Sequence, residues 1–139
     1  MIAFDTDILS ELIARNPAIT QRAVSIDPSE QSVPVVVATE VCRGWLNAIR
    51  QAEAGRGRIS LDLAYRLFQD SLRAIAVYLI LPYTLAADAL FRQWRAAKIR
   101  VGSQDLRIAA VCIDHGVTLV TRNARDYVQV PGLNFDVWN

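Results

Sequence analysis

Four acidic residues have a neighbourhood suited to metal chemistry on phosphate. Asp5 ends the apolar run Ile2-Ala3-Phe4, and Glu40 follows the run Val33 to Ala38 by two residues. Asp105 opens an apolar helical stretch, and Asp126 lies five residues past Val117-Thr118-Leu119-Val120-Thr121. Three of the four thus follow the ends of buried-strand patterns. In an open parallel sheet, the strand ends of one side line the crevice where ligands bind. Carboxylates gathered there repel one another unless they share a cation. Hard oxygen ligands select Mg²⁺ or Mn²⁺.

Each of these residues also has a plainer reading. In Asp5-Thr6-Asp7, Asp7 can act as a helix N-cap, accepting the orphan amides of the first turn. Placed two residues from Asp5, it can equally orient water on an ion. Glu40 and Asp105 at helix starts are favoured by the macrodipole, by roughly 0.3–1 kcal/mol each. Thr121 and Asn123 suit an Asx-type turn after a strand, and they also suit hydrogen bonds that hold neighbouring carboxylates in place.

The elements that must position these groups alternate strand and helix. Strands are expected at residues 2 to 6, 33 to 38, 77 to 81, 117 to 121 and 133 to 137. Helices are expected from Ile8 to Ala14, Pro17 to Ile26, about Thr39 to Ala54, Ser60 onwards, Thr84 to about Arg100, and Ser103 to about His115. This order predicts one α/β domain over 1–139, a three-layer α/β/α sandwich around a mostly parallel sheet. The two helices between the second and third strands form a hairpin, longer than one crossover needs and suited to an interface.

The composition fits a folded core: 53% of the 139 residues are hydrophobic and 21% charged. The net charge of +1 points to no partner class, although 14 of the 15 basic residues are arginine and only Lys98 is lysine. Arginine forks onto phosphate. Cys42 and Cys112 sit among apolar neighbours and read as buried free thiols of a reducing compartment. With His115 they fall short of a four-ligand zinc set, and His115, before Gly116, reads as structural. The apolar stretch 74–91 is broken by Pro82 and Asp88 and predicts no membrane span. The opening segment lacks the pattern of a secretory signal, so a cytoplasmic location is expected.

The ordered set Phe4-Asp5-Thr6-Asp7, Glu40, Asp105-Leu106-Arg107-Ile108-Ala109-Ala110 and Thr121-Arg122-Asn123-Ala124-Arg125-Asp126-Tyr127 resembles the PIN domain. More closely, it is similar to the VapC toxins of bacterial and archaeal toxin–antitoxin systems. The resemblance runs essentially the whole length, to Pro131-Gly132-Leu133 and Trp138. It implies a Mg²⁺- or Mn²⁺-dependent endoribonuclease that hydrolyses RNA by metal-activated water, leaving a 3′-hydroxyl and a 5′-phosphate. Asp5, Glu40, Asp105 and Asp126 match the acidic positions, and Thr6, Thr121 and Asn123 match supporting polar ones. A cognate antitoxin protein that fills the crevice, and a homodimer, are also implied. Asp7 departs from the asparagine usual after Asp-Thr and adds a negative charge, and Val37 replaces a threonine common in the family. RNA must be drawn to an acidic crevice by arginines. The candidates are Arg122 and Arg125 beside Asp126, Arg56 and Arg58 in the glycine loop, and Arg92, Arg95 and Arg100 on one helix.

Two rival readings stand beside this one. A haloacid dehalogenase-type phosphotransferase would use Asp5 as nucleophile and Asp7 as acid/base. It would also need a later lysine followed by an acidic pair, and Lys98 has none after it. A catalytically silent RNA- or protein-binding module on the same fold would not need all four acidic positions.

Overall fold

The computed structural model describes residues 1–139. The elements in chain order are β1 (Ile2–Phe4), α1 (Thr6–Ile13), α2 (Pro17–Val24), a 3-10 turn (Pro28–Glu30), β2 (Gln31–Pro34), α3 (Val35–Glu53), α4 (Leu61–Ile75), β3 (Leu79–Leu81), α5 (Leu85–Ala96), α6 (Ser103–His115), β4 (Thr118–Thr121), α7 (Ala124–Tyr127) and β5 (Phe135–Val137). The five strands pair in the order β3-β2-β1-β4-β5, and every pairing is parallel. The chain steps outward from β1 to β3, then returns to lay β4 on the other side of β1. Right-handed crossovers therefore place α1–α4 on one face and α5 and α6 on the other. This is the expected three-layer sandwich, with the sheet wholly rather than mostly parallel.

The reversal of strand order falls between β1 and β4, and an open α/β sheet has its crevice at such a switch point. Register fixes what meets there. Phe4 pairs with Val120, and the Asp5 amide donates to the Val120 carbonyl at 2.9 Å. Asp5 and Thr121 thus leave the ladder side by side. Beneath them, Phe4, Leu119, Val120 and α6 residues Leu106 and Ile108 to Cys112 are fully buried. The helix that carries Asp105 is therefore held rigidly by its own apolar side chains.

Several expected boundaries move. The second strand ends at Pro34, and Val35 to Ala38 open α3 instead of continuing the strand. Pro34 takes extended backbone (φ −59°, ψ 139°) and serves as N-cap; its ring suits a position just before a helix. α3 then buries Val36, Val37 and Val41 on its inner face. Asp5, not Asp7, is the N-cap of α1, and Gly102 is the N-cap of α6. The helix expected to reach Arg100 stops at Ala96, with Lys98 at φ 57° turning the chain. Cys112 is buried as expected, whereas Cys42 is only partly so.

Candidate metal centre

The crevice is built from the ends of β1 and β4 and the starts of α1, α6 and α7. Asp5, only 5% exposed, is its innermost carboxylate. Its Oδ1 accepts the Thr6 amide at 2.8 Å and its Oδ2 accepts the Thr121 hydroxyl at 2.6 Å. The Thr121 oxygen in turn accepts the Asn123 amide at 2.9 Å. Asn123 caps α7 and donates from Nδ2 to Asp126 Oδ2 at 3.0 Å. The Thr6 hydroxyl donates to Glu40 Oε2. Asp7 accepts the Ile8 amide at 2.7 Å and the Arg122 amide at 3.3 Å. The hydroxyls and amide expected to brace the acidic groups therefore touch them directly.

The fold gives a role to one residue that spacing alone leaves without one. The Tyr127 ring is fully buried, and its hydroxyl lies 3.4 Å from both Asp5 Oδ1 and Asp105 Oδ1. A buried tyrosine needs a partner for its hydroxyl. A lone aromatic directly after Asp126, closing the mostly polar run Thr121 to Asp126, was the available signal. Burial, and then the charges of Asp5 and Asp105, push its hydroxyl pKa far up, so it stays a donor.

Electrostatics report the same convergence. Burial raises the Asp5 pKa from 3.8 to about 6, against the pull of the Thr121 and Thr6 hydrogen bonds; Asp7 and Asp105 raise it further. Burial also raises Asp105, followed by the charge of Glu40, with smaller upward pushes from Asp126 and Asp7. None of the five carboxylates is in an ion pair. Oxygen-only donors with surplus negative charge and no basic counter-ion match the preference of a hard divalent cation. No three acidic, histidine or cysteine side chains stand close enough to form a closed cage as they are.

Glu40 lies in the second turn of α3, not the first, because α3 begins at Val35. The macrodipole reading therefore applies to Asp105 and not to Glu40. The expected arginines divide. Arg122 precedes α7 and Arg125 lies within it, but Arg122 Nη1 is paired with Glu11 at 3.0 Å. Arg92 is spent on Asp88 at 2.7 Å, and Arg95 on the Val101 carbonyl and Ser103. Arg56 and Arg58 are exposed beyond the far end of α3. The 13-residue step from Glu40 to Glu53 puts them about 20 Å from the acidic crevice along the helix axis.

No protein-family model and no curated protein matches this sequence. Solved structures do. A DNA-bound VapBC from Salmonella typhimurium superposes with a TM-score of 0.77 at 20% identity, covering 99% of this chain and 98% of that one. VapBC2 from Rickettsia felis, bound to a promoter DNA fragment, gives 0.75 at 16% identity with both chains covered in full. A toxin–antitoxin complex from Klebsiella pneumoniae gives 0.71 at 19% identity, covering 100% and 97%. The chain has the PIN-domain fold. In that PIN fold, the β1–β4 switch point carries Asp5, and α6 and α7 deliver Asp105 and Asp126 beside it. No helix is long and apolar enough to cross a membrane.

Proposed function

We propose that this protein is a metal-dependent endoribonuclease and the toxin of a toxin–antitoxin pair. The observation that carries the proposal is the set of five carboxylates at the switch point of a PIN fold, with no cationic side chain paired to any of them. Asp5, Glu40, Asp105 and Asp126 would hold one or more Mg²⁺ or Mn²⁺ ions. Such an ion, when bound, supplies activation of water near neutral pH and neutralises charge growing on the phosphate. The chain's own groups do the rest. Thr121 and Thr6 fix the rotamers of Asp5 and Glu40, Asn123 fixes Asp126, and Tyr127 spaces Asp5 from Asp105. Holding these groups before substrate arrives lowers the reorganisation needed during reaction. Asp7 adds charge at the rim, and Arg125 faces RNA there.

The pairing with an antitoxin draws support from the toxin–antitoxin complexes that share the fold. A basic side chain of the antitoxin, seated among the carboxylates, would silence the site in the cytoplasm. Self-association would use the α4 side of the α3–α4 hairpin, where Leu61, Tyr65 and Leu72 are exposed. The test is cleavage of a mixed cellular RNA by purified protein in Mg²⁺, in Mn²⁺ and in EDTA, with the new ends sequenced. Cleavage dependent on the ion, and lost in Asp5→Asn while the fold persists, is expected. Equal cleavage by parent and Asp5→Asn would refute the proposal. Tight ion binding without cleavage of any RNA favours the silent binding module.

A further inference from the structure

The acidic crevice opens onto a groove along α3 whose chemistry is the reverse of its own. The groove has a volume of about 580 Å³ and is lined by Glu40, Arg43, Gly44, Leu46, Asn47 and Arg50. Glu40 belongs to the crevice. Arg43, Asn47 and Arg50 follow at spacings of three, four and three residues, so they share one face of the helix. Arg43 and Arg50 are both exposed. Neither makes an ion pair or a side-chain hydrogen bond within the chain, unlike Arg92, Arg95, Arg107 and Arg122.

Gly44 gives a second, independent indication. It lies mid-helix, where glycine is disfavoured for its entropy and lack of side chain. A Cβ built on it would meet nothing within 4 Å. Packing inside the chain therefore gives no reason for its bareness. Gly44 also lines a second cleft on the other side of Glu40, shared with Thr6, Ser10, Val41, Trp45 and Ala48. The bare helix surface at Gly44 is thus a saddle between a basic groove and a cleft walled by the Trp45 indole.

We infer that this saddle is where a single strand of RNA crosses α3, its phosphates on Arg43 and Arg50 and a base directed to the Trp45 cleft. The inference rests on the ribonuclease reading and adds the path by which substrate reaches Glu40. The seven-residue step from Arg43 to Arg50 separates them by about 10 Å along the axis, so they hold different phosphates. They also close the gap between the crevice and Arg56 and Arg58, which continue the track past the helix end. An aromatic face beside a basic groove is a general way to hold single strands without reading sequence.

The test measures anisotropy of a fluorescein-labelled, single-stranded, mixed-sequence oligoribonucleotide with the full chain in EDTA, which separates binding from cleavage. The double variant Arg43→Gln/Arg50→Gln should bind about tenfold more weakly, and its salt-dependence slope should fall by about 1.4, the value for two phosphate contacts on a single strand. Gly44→Leu should weaken binding comparably while its melting temperature does not fall, since the side chain has room and helix propensity improves. Gly44→Ala should bind as the parent does. Calorimetric binding of Mn²⁺ should be the same in all of them, because the carboxylates are untouched. If both the arginine variant and Gly44→Leu bind RNA as the parent does, the track is wrong while the nuclease proposal stands. If they instead lose only a co-purifying protein, the groove belongs to that protein and the inference is overturned. If the parent neither binds nor cuts RNA, both fall together.

Discussion

The Thr121 hydroxyl donates to Asp5 Oδ2 at 2.6 Å, across 116 residues of chain. This bond ties the last residue of β4 to the residue just past β1, and it is one of two hydrogen bonds that counter the desolvation of the innermost carboxylate. Thr121→Val keeps the shape and removes the donor. Asp5 should then titrate higher than its present value of about 6. The variant should bind Mn²⁺ more weakly at pH 6 than the parent and recover toward pH 8. Calorimetry at the two pH values checks this, and identical affinities would show that the hydroxyl leaves the charge of Asp5 unaffected.

Asp5 also sets a pH dependence of stability. Its folded pKa is raised from 3.8 to about 6, so the folded state holds the proton more tightly than the unfolded chain. The stabilisation this provides is fully present below 3.8 and is lost as pH rises through about 6. A shift of that size corresponds to about 3 kcal/mol. In metal-free buffer, stability from urea unfolding should therefore fall between pH 4 and pH 7. Asp5→Asn should flatten that fall and be the more stable protein at pH 7. Some slope should remain, because Asp105 is also raised by burial and by Glu40. A parent whose stability rises over this window would contradict the burial of Asp5 as a charge.

Tyr127 separates packing from hydrogen bonding. Tyr127→Phe retains the buried ring and removes the hydroxyl that lies 3.4 Å from both carboxylates. Its fold should persist, with Asp105 harder to ionise because that hydrogen bond lowers its pKa. The midpoint of Mn²⁺ binding against pH should move upward. Tyr127→Ala should instead cost about 3–5 kcal/mol in unfolding free energy, the usual range for emptying an aromatic site in a core. Unchanged metal binding in the phenylalanine variant would reduce Tyr127 to a packing residue.

Much of this arrangement was legible in residue order, for a physical reason. Asp5 follows a short apolar run, and such runs become central strands whose ends point into one crevice. The same logic located Thr121, and the chemistry of capping located Asn123 before α7. Glu40 was correctly placed on the helix after the second strand, but in its first turn, whereas α3 starts earlier and holds it in the second. Val35, Val36 and Val37 have strand propensity, yet Pro34 ends the ladder and burial of Val37 and Val41 rewards a helix. Tertiary packing overrode local preference there. Tyr127 and the α3 arginines escaped notice because their roles depend on juxtaposition. The Tyr127 hydroxyl meets Asp105 across 22 residues, and Arg43 gains significance only once Gly44 is seen to have empty space above it.

The β3-β2-β1-β4-β5 order has a consequence for synthesis on the ribosome. Until β4 emerges, β1 has one bare side, and Asp5 lacks both Thr121 and Tyr127. A nascent polypeptide that has reached only Gly116 therefore lacks a complete acidic crevice. Under the function proposed above, the chain would stay inert for most of its translation and would be armed only when its final stretch lays β4 along the bare edge of β1.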